Sequence, residues 1–143
     1  MFKDPHCDIC QGIHSDIDDY HVIYENDEII AVLEKHSVTK GHTLIIPKEH
    51  SQGLFSLYPE TMDSLMYVMR RVAVALENEF EPEGFSIFHT TSTFIQWTDH
   101  THVHLIPRYE DDSIGLSLHT KELSNRELQQ IKERLSEWLE SSI

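Results

Sequence analysis

The segment His100-Thr101-His102-Val103-His104-Leu105-Ile106-Pro107-Arg108 constrains the fold more than any other. Three histidines alternate with Thr101, Val103 and Leu105, a period of two that fits a strand rather than a helix. On a strand the three imidazoles project to one side, with neighbours roughly 6.5–7 Å apart, while the other side suits packing. Aligned imidazoles are an odd way to build a solvated strand face. Two chemistries remain open on spacing alone. H-x-H on a strand supplies metal ligands, because imidazole is a favoured zinc and iron donor. Alternatively, one histidine is a nucleophile and its neighbours orient it and handle protons.

The rest of the chain supplies a sheet for this strand to join. His21–Glu25 and Glu28–Glu34 read as two short strands joined through Asn26-Asp27, a hairpin signal without the usual glycine. His42–Pro47 is a buried strand that ends at its proline, and Phe85–His89 and Thr101–Tyr109 are two more. Between them, Pro59–Phe80 is the clearest helix. Pro59 suits the first helical position, and Met62, Leu65, Met66, Met69, Val72, Ala73, Leu76 and Phe80 form one apolar stripe. Ser124 and Glu127 form a capping box, with Leu123 and Leu128 spaced as a hydrophobic staple, and a helix follows through Ile131, Leu135, Trp138 and Leu139. The stretch Met1–Tyr20 reads as irregular, with Cys7, Cys10 and Gly12 marking a knuckle or turn. The order of strands, helix, strands and helix predicts an α+β fold: a twisted antiparallel sheet with two main helices. A length of 143 residues fits a single domain, 1–143, around one core.

Charge narrows the partners. The formal net charge of −14 opposes binding to nucleic acid or to anionic membrane surfaces, both of which need clustered Lys and Arg. It does not oppose a small phosphorylated ligand, which a local nest of donors can hold. No apolar run reaches the roughly 20 residues of a transmembrane helix, and the first ten residues lack a signal peptide's apolar stretch, so the expected compartment is the cytoplasm. There, the only cysteines, Cys7 and Cys10, suggest metal or redox chemistry before a disulfide. A thioredoxin-like role is disfavoured because no βαβ pattern surrounds them.

Gly41-His42-Thr43-Leu44-Ile45-Ile46-Pro47-Lys48-Glu49-His50, followed by His100–Arg108, resembles the histidine triad family. Its signatures are a G-H-x-L-[IV]-[IV]-P-K-x-H strand and a later strand of histidines alternating with apolar residues. The resemblance runs from the C-x-x-C to about Arg108. It implies a nucleotide hydrolase or nucleotidyl transferase in which His102 attacks the α-phosphate of a nucleoside phosphoramidate or dinucleoside polyphosphate. A covalent nucleotidyl-histidine forms, and water then cleaves it. On the same resemblance, His104 and His42 contact the phosphate and assist proton transfer to the leaving group. Gln96 supports phosphate and nucleophile. Glu34 stands where the family has an aspartate on the ribose hydroxyls, and Ile9 and Ile13 wall the base. The implied partners are a purine nucleotide or nucleotide conjugate and a second copy of the chain, in a homodimer built on the long helix and a strand edge. Similarity to the zinc-containing members implies a structural zinc held by Cys7, Cys10, His50 and His100, a closed Cys₂His₂ set suited to tetrahedral coordination.

The segment before Gln96 departs from the pattern. His89 sits where the family has asparagine, among nucleotide contacts, and Thr90-Thr91-Ser92-Thr93 replace glycines that would let backbone approach a phosphate. Trp97 is placed to stack on a leaving group or to pack against a partner subunit. Two rival readings follow. One is a metallohydrolase with His100, His102 and His104 on a catalytic metal, which a single straight strand serves poorly. The other is a nucleotide-binding module with little turnover.

Overall fold

Among the described residues, five strands form one sheet: β1 (Val22–Glu25), β2 (Ile29–Leu33), β3 (Thr43–Pro47), β4 (Gly84–Phe88) and β5 (Val103–Arg108). Their order is β1-β2-β3-β5-β4, and every neighbouring pair is antiparallel. The two main helices are α2 (Pro59–Phe80) and α3 (Asn125–Ser141), and a short helix α1 (Asp8–His14) precedes the sheet. This is the α+β architecture that the sequence predicts. The chain is seen as a computed structural model, which describes residues 4–14, 20–91 and 100–141. It forms two units, Met1–Ser113 and Ile114–Ile143.

The β1–β2 turn dispenses with glycine because Asn26 does the work through its side chain. Its Oδ1 accepts the N–H groups of Glu28 at 2.9 Å and Ile29 at 2.8 Å. Residues on β2 are buried on both faces, which explains its run of apolar residues without alternation. Ile29 and Ala31 pack with Ile45, Val103 and Leu105 against Leu65, Val68, Met69, Val72 and Leu76 of α2. Ile30 and Val32 face the other way, in a smaller cluster with Ile13 and Ile46. Leu44 is paired with His104 in the β3–β5 ladder and packs against that smaller cluster. The histidine-bearing face is therefore the one that α2 does not cover.

Helix α2 ends at Glu81, which takes the left-handed conformation (φ 48°, ψ 53°) and closes the helix by donating its N–H to Glu77 O. A side chain in that region costs about 1–2 kcal/mol that glycine avoids. Replacing Glu81 with glycine is expected to stabilise the fold by about 1 kcal/mol, read as a higher urea midpoint with an unchanged slope. A lower midpoint would contradict this assignment of strain.

The amino-terminal stretch is not irregular throughout, contrary to the sequence reading: Asp8–His14 is helical. The cause is that Cys7 Sγ accepts the Cys10 N–H at 3.3 Å, as a Ser or Asp oxygen does at a helix start. In the second unit, the Ser124–Glu127 capping box forms as expected. The Ser124 N–H donates to Glu127 Oε2 at 2.8 Å, and the Glu127 N–H donates to Ser124 Oγ at 3.2 Å. No helix among the described residues is long and apolar enough to cross a membrane.

Candidate active site

The segment leading into β5 is built from three consecutive residues that face three different neighbours. The strand starts at Val103, two residues later than the sequence reading has it, because Thr101 is tied elsewhere. Its N–H donates to Ser51 O at 2.8 Å, and its hydroxyl shares a 2.6 Å hydrogen bond with Ser51 Oγ. His100 therefore leaves the row of imidazoles and is fully buried beside the cysteines. His102 and His104 stay together, with ring centroids 5.2 Å apart.

His100 completes a cluster with Cys7, Cys10 and His50, whose ligand atoms all lie within 4.8 Å of one another. Cys10 Sγ is 3.4 Å from His50 Nδ1 and 3.3 Å from His100 Nδ1, and Cys7 Sγ is 3.5 Å from His100 Nδ1. A tetrahedral ion with bonds of roughly 2.0–2.3 Å has ligand–ligand edges of about 3.3–3.8 Å, so the group fits such an ion. The outer partners agree. His100 Nε2 lies 2.7 Å from Pro47 O, and only an N–H can meet a carbonyl, so its Nδ1 lone pair faces the sulfurs. His50 Nε2 lies 3.7 Å from an Asp4 carboxylate oxygen. Burial pushes the Cys7 thiol up to about 11, which keeps it protonated when no cation is bound. The four residues inferred from the sequence are thus brought together.

Three further histidines of the site, His42, His102 and His104, have their tautomers fixed by their partners. His102 Nδ1 lies 2.9 Å from the carbonyl of His100, so it carries the hydrogen and leaves the Nε2 lone pair unshared with that bond. His42, on the loop before β3, accepts the Val38 N–H at Nδ1 over 3.2 Å. Its Nε2–H must then donate to His104 Nδ1, 2.9 Å away. That leaves His104 with a hydrogen on Nε2. Gly41, next to His42, has φ 94°, a conformation that favours glycine, and an added Cβ there would lie 2.9 Å from Leu76 Cδ2.

Burial, then the His102 and His42 imidazoles, push the His104 pKa down to about 4, with Glu34 pulling weakly the other way. His42 is lowered by burial, again opposed by Glu34. A histidine whose folded pKa lies below its unfolded value of about 6.5 favours the folded state above pH 6.5, and that stability is lost as pH falls towards 4. Thermal melts of wild type and His104→Gln should therefore diverge over that window, with the variant losing less stability on acidification. Parallel curves would contradict the assignment.

A cavity of about 320 Å³ is lined by Ile9, Tyr20, Leu33, Glu34, Leu44 and Ile46, among others. Ile9 and Glu34 thus reach one cavity, while Ile13 is buried in the cluster with Ile30, Val32 and Ile46. Glu34 Oε1 accepts the His36 N–H at 3.0 Å. Sequence reasoning missed Tyr20, whose ring lies on Gly12: a Cβ there would be 2.3 Å from Tyr20 Oη. A glycine within a seven-residue helix is the signal that could have found it. His89 bonds to protein through both ring nitrogens, Nδ1 to the His102 carbonyl and Nε2 to Leu54 N and Thr91 Oγ1. Gln96 and Trp97 lie outside the described residues.

Comparison with known proteins agrees with this geometry. The model of the HIT domain matches residues 16–111. The protein hit of Bacillus subtilis is 33% identical over 140 residues, covering 95% of this chain and 96% of its own. A HIT family crystal structure from Bacillus anthracis superposes with a TM-score of 0.81 at 33% identity, covering 93% of this chain and 96% of that one. A Zn-bound histidine triad family protein from Mycobacterium smegmatis is 26% identical with a TM-score of 0.69, covering 96% of this chain and 98% of that one. The adenosine 5′-monophosphoramidase hnt1 of Schizosaccharomyces pombe is 26% identical over 132 residues, 91% of this chain and 96% of its own. With its alternating histidines on the open face of an antiparallel sheet and these matches across most of its length, the chain belongs to the histidine triad (HIT) family.

Proposed function

We propose that the chain hydrolyses or transfers nucleotides by attack of His102 Nε2 on the α-phosphorus of a nucleoside phosphoramidate or dinucleoside polyphosphate. The observation that carries this reading is the 2.9 Å contact between His102 Nδ1 and the His100 carbonyl. It holds hydrogen on Nδ1 and so presents the Nε2 lone pair. In the first step a bond forms from Nε2 to phosphorus, and the bond from phosphorus to the leaving nitrogen or oxygen breaks with its electron pair. The leaving group takes a proton. In the second step water attacks phosphorus, the P–Nε2 bond returns its pair to the ring, and the water proton is released.

His104 Nε2–H is the donor beside this centre. An anionic phosphate placed there favours the protonated imidazole, opposing the burial that keeps it neutral when the site is empty. His42 supports it through the 2.9 Å ring-to-ring hydrogen bond. Glu34, with Ile9 and Tyr20 around the same cavity, receives the ribose and a purine base. Gln96 keeps the role of supporting the phosphate that the family resemblance gives it. Cys7, Cys10, His50 and His100 would hold a structural zinc, which would tie α1 to the loop after β3 and to the segment leading into β5. The three-histidine metallohydrolase is disfavoured, because His100 faces the sulfurs and not His102 and His104. A homodimer would cover Phe55, Met66 and Ile87, exposed beside β4 at the sheet edge.

Incubation with adenosine 5′-phosphoramidate, followed by chromatography, is expected to show AMP and ammonia in equal amounts. No AMP, with AMP itself still bound, would favour the binding-module reading.

A further inference from the structure

We propose that His89 is a positioning residue that holds the peptide of the nucleophile, and that it does not contact the nucleotide. The inference rests on His102 as nucleophile. The ladder registers stop at Ile45–Val103 on one side and at Phe88–His104 on the other. His102 thus lies one residue beyond the register with β3 and two beyond that with β4, and His89 reaches it from the end of β4. His89 Nδ1 is 3.0 Å from the His102 carbonyl, which can only accept, so Nδ1 bears the hydrogen. His89 Nε2 is 3.3 Å from the Leu54 N–H, which can only donate, and 2.7 Å from Thr91 Oγ1. A neutral imidazole has one donor and one acceptor, and both are occupied by protein.

The ring therefore bridges the nucleophile's peptide to the 3₁₀ turn at Leu54–Ser56. Gly53, just before that turn, admits the third member of the brace: an added Cβ would lie 2.4 Å from Thr91 Cγ2 and 3.1 Å from its Oγ1. His102 is then held twice, its ring by the His100 carbonyl and its own carbonyl by His89. Rotation of the His102 peptide swings Cβ and with it Nε2. A misplacement of about 1 Å at a reacting atom costs on the order of 100-fold in rate.

The test compares wild type with His89→Phe, which keeps the ring's bulk and removes both nitrogens, and with His89→Asn, whose amide can donate to the same carbonyl. Nucleotidylation by adenosine 5′-phosphoramidate in single-turnover rapid quench is expected to slow about 10- to 100-fold in the Phe variant. AMP affinity by calorimetry should stay within about twofold, and the Asn variant should recover most of the rate. Gly53→Ala should show the same defect in milder form if the Phe variant folds poorly. Long-range proton–nitrogen NMR of the wild type should show His89 as one Nδ1–H tautomer, with the His102 amide shifting in the Phe variant. An unchanged rate in the Phe variant, or AMP affinity falling in step with the rate, would overturn the proposal. If the wild type forms no adduct, the nucleophile reading fails alone. The NMR then decides His89: a mixed tautomer or an unmoved His102 amide overturns the brace, and the expected pair of signals supports it.

Discussion

Replacing His102 with glycine is expected to lower AMP release from adenosine 5′-phosphoramidate by roughly 10³-fold or more, because the variant has no atom to form the covalent intermediate. AMP binding should change far less. The cavity lined by Ile9, Tyr20, Leu33 and Glu34 does not use His102 as a wall. The fold should also tolerate the change, since His102 is only part-buried, although glycine adds backbone freedom there. A variant that retains a tenth or more of the wild-type rate would remove His102 from the chemistry. Steady-state rates and calorimetric AMP titration on the same preparations separate the two effects.

Removal of a zinc ion from the proposed Cys7, Cys10, His50 and His100 site is expected to have the largest effect on stability. Atomic emission on protein purified without chelator should give one zinc per chain for wild type and none for Cys10→Ser. An ion that binds only the folded chain, at a free concentration about a thousand-fold above its Kd, stabilises it by about 4 kcal/mol. For a unit of this size that is a loss of roughly 10–20 °C in the melting temperature on chelation. The His100 ring belongs to the cluster with Cys7, Cys10 and His50, and the His100 carbonyl holds the His102 ring at 2.9 Å. Metal loss should therefore also slow nucleotidylation. Wild type and Cys10→Ser melting together, with no metal in either, would show that the cluster is two reduced cysteines and two histidines and nothing more.

How far the sequence revealed the molecule depended on whether structure followed from local pattern. Helix α2 was legible to its ends because Pro59 marks the start and the apolar stripe runs unbroken to Phe80. The capping box at Ser124 was legible for the same local reason. Helix α1 was not, because its cap is a sulfur, Cys7, and its seven residues carry too short a stripe to stand out. The alternation at 100–104 was read as one strand face, yet the Thr101–Ser51 bonds delay the strand to Val103 and send His100 elsewhere. Those bonds join residues 50 positions apart, and no period in a sequence encodes them. Cys7, Cys10, His50 and His100 were grouped by resemblance and are together in space. His89 was expected at the nucleotide; its partners Leu54 and the His102 carbonyl emerge only once β4 and β5 are paired.

Covalent chemistry at His102 is tested most directly by intact-protein mass after rapid acid quench with adenosine 5′-phosphoramidate, followed by peptide mapping. The expected result is an added adenylyl group on wild type, mapped to His102, that forms and decays fast enough to account for AMP release. It should be absent from His102→Gly. AMP release at the full rate with no adduct at any quench time, or an adduct that maps to another residue, would contradict it.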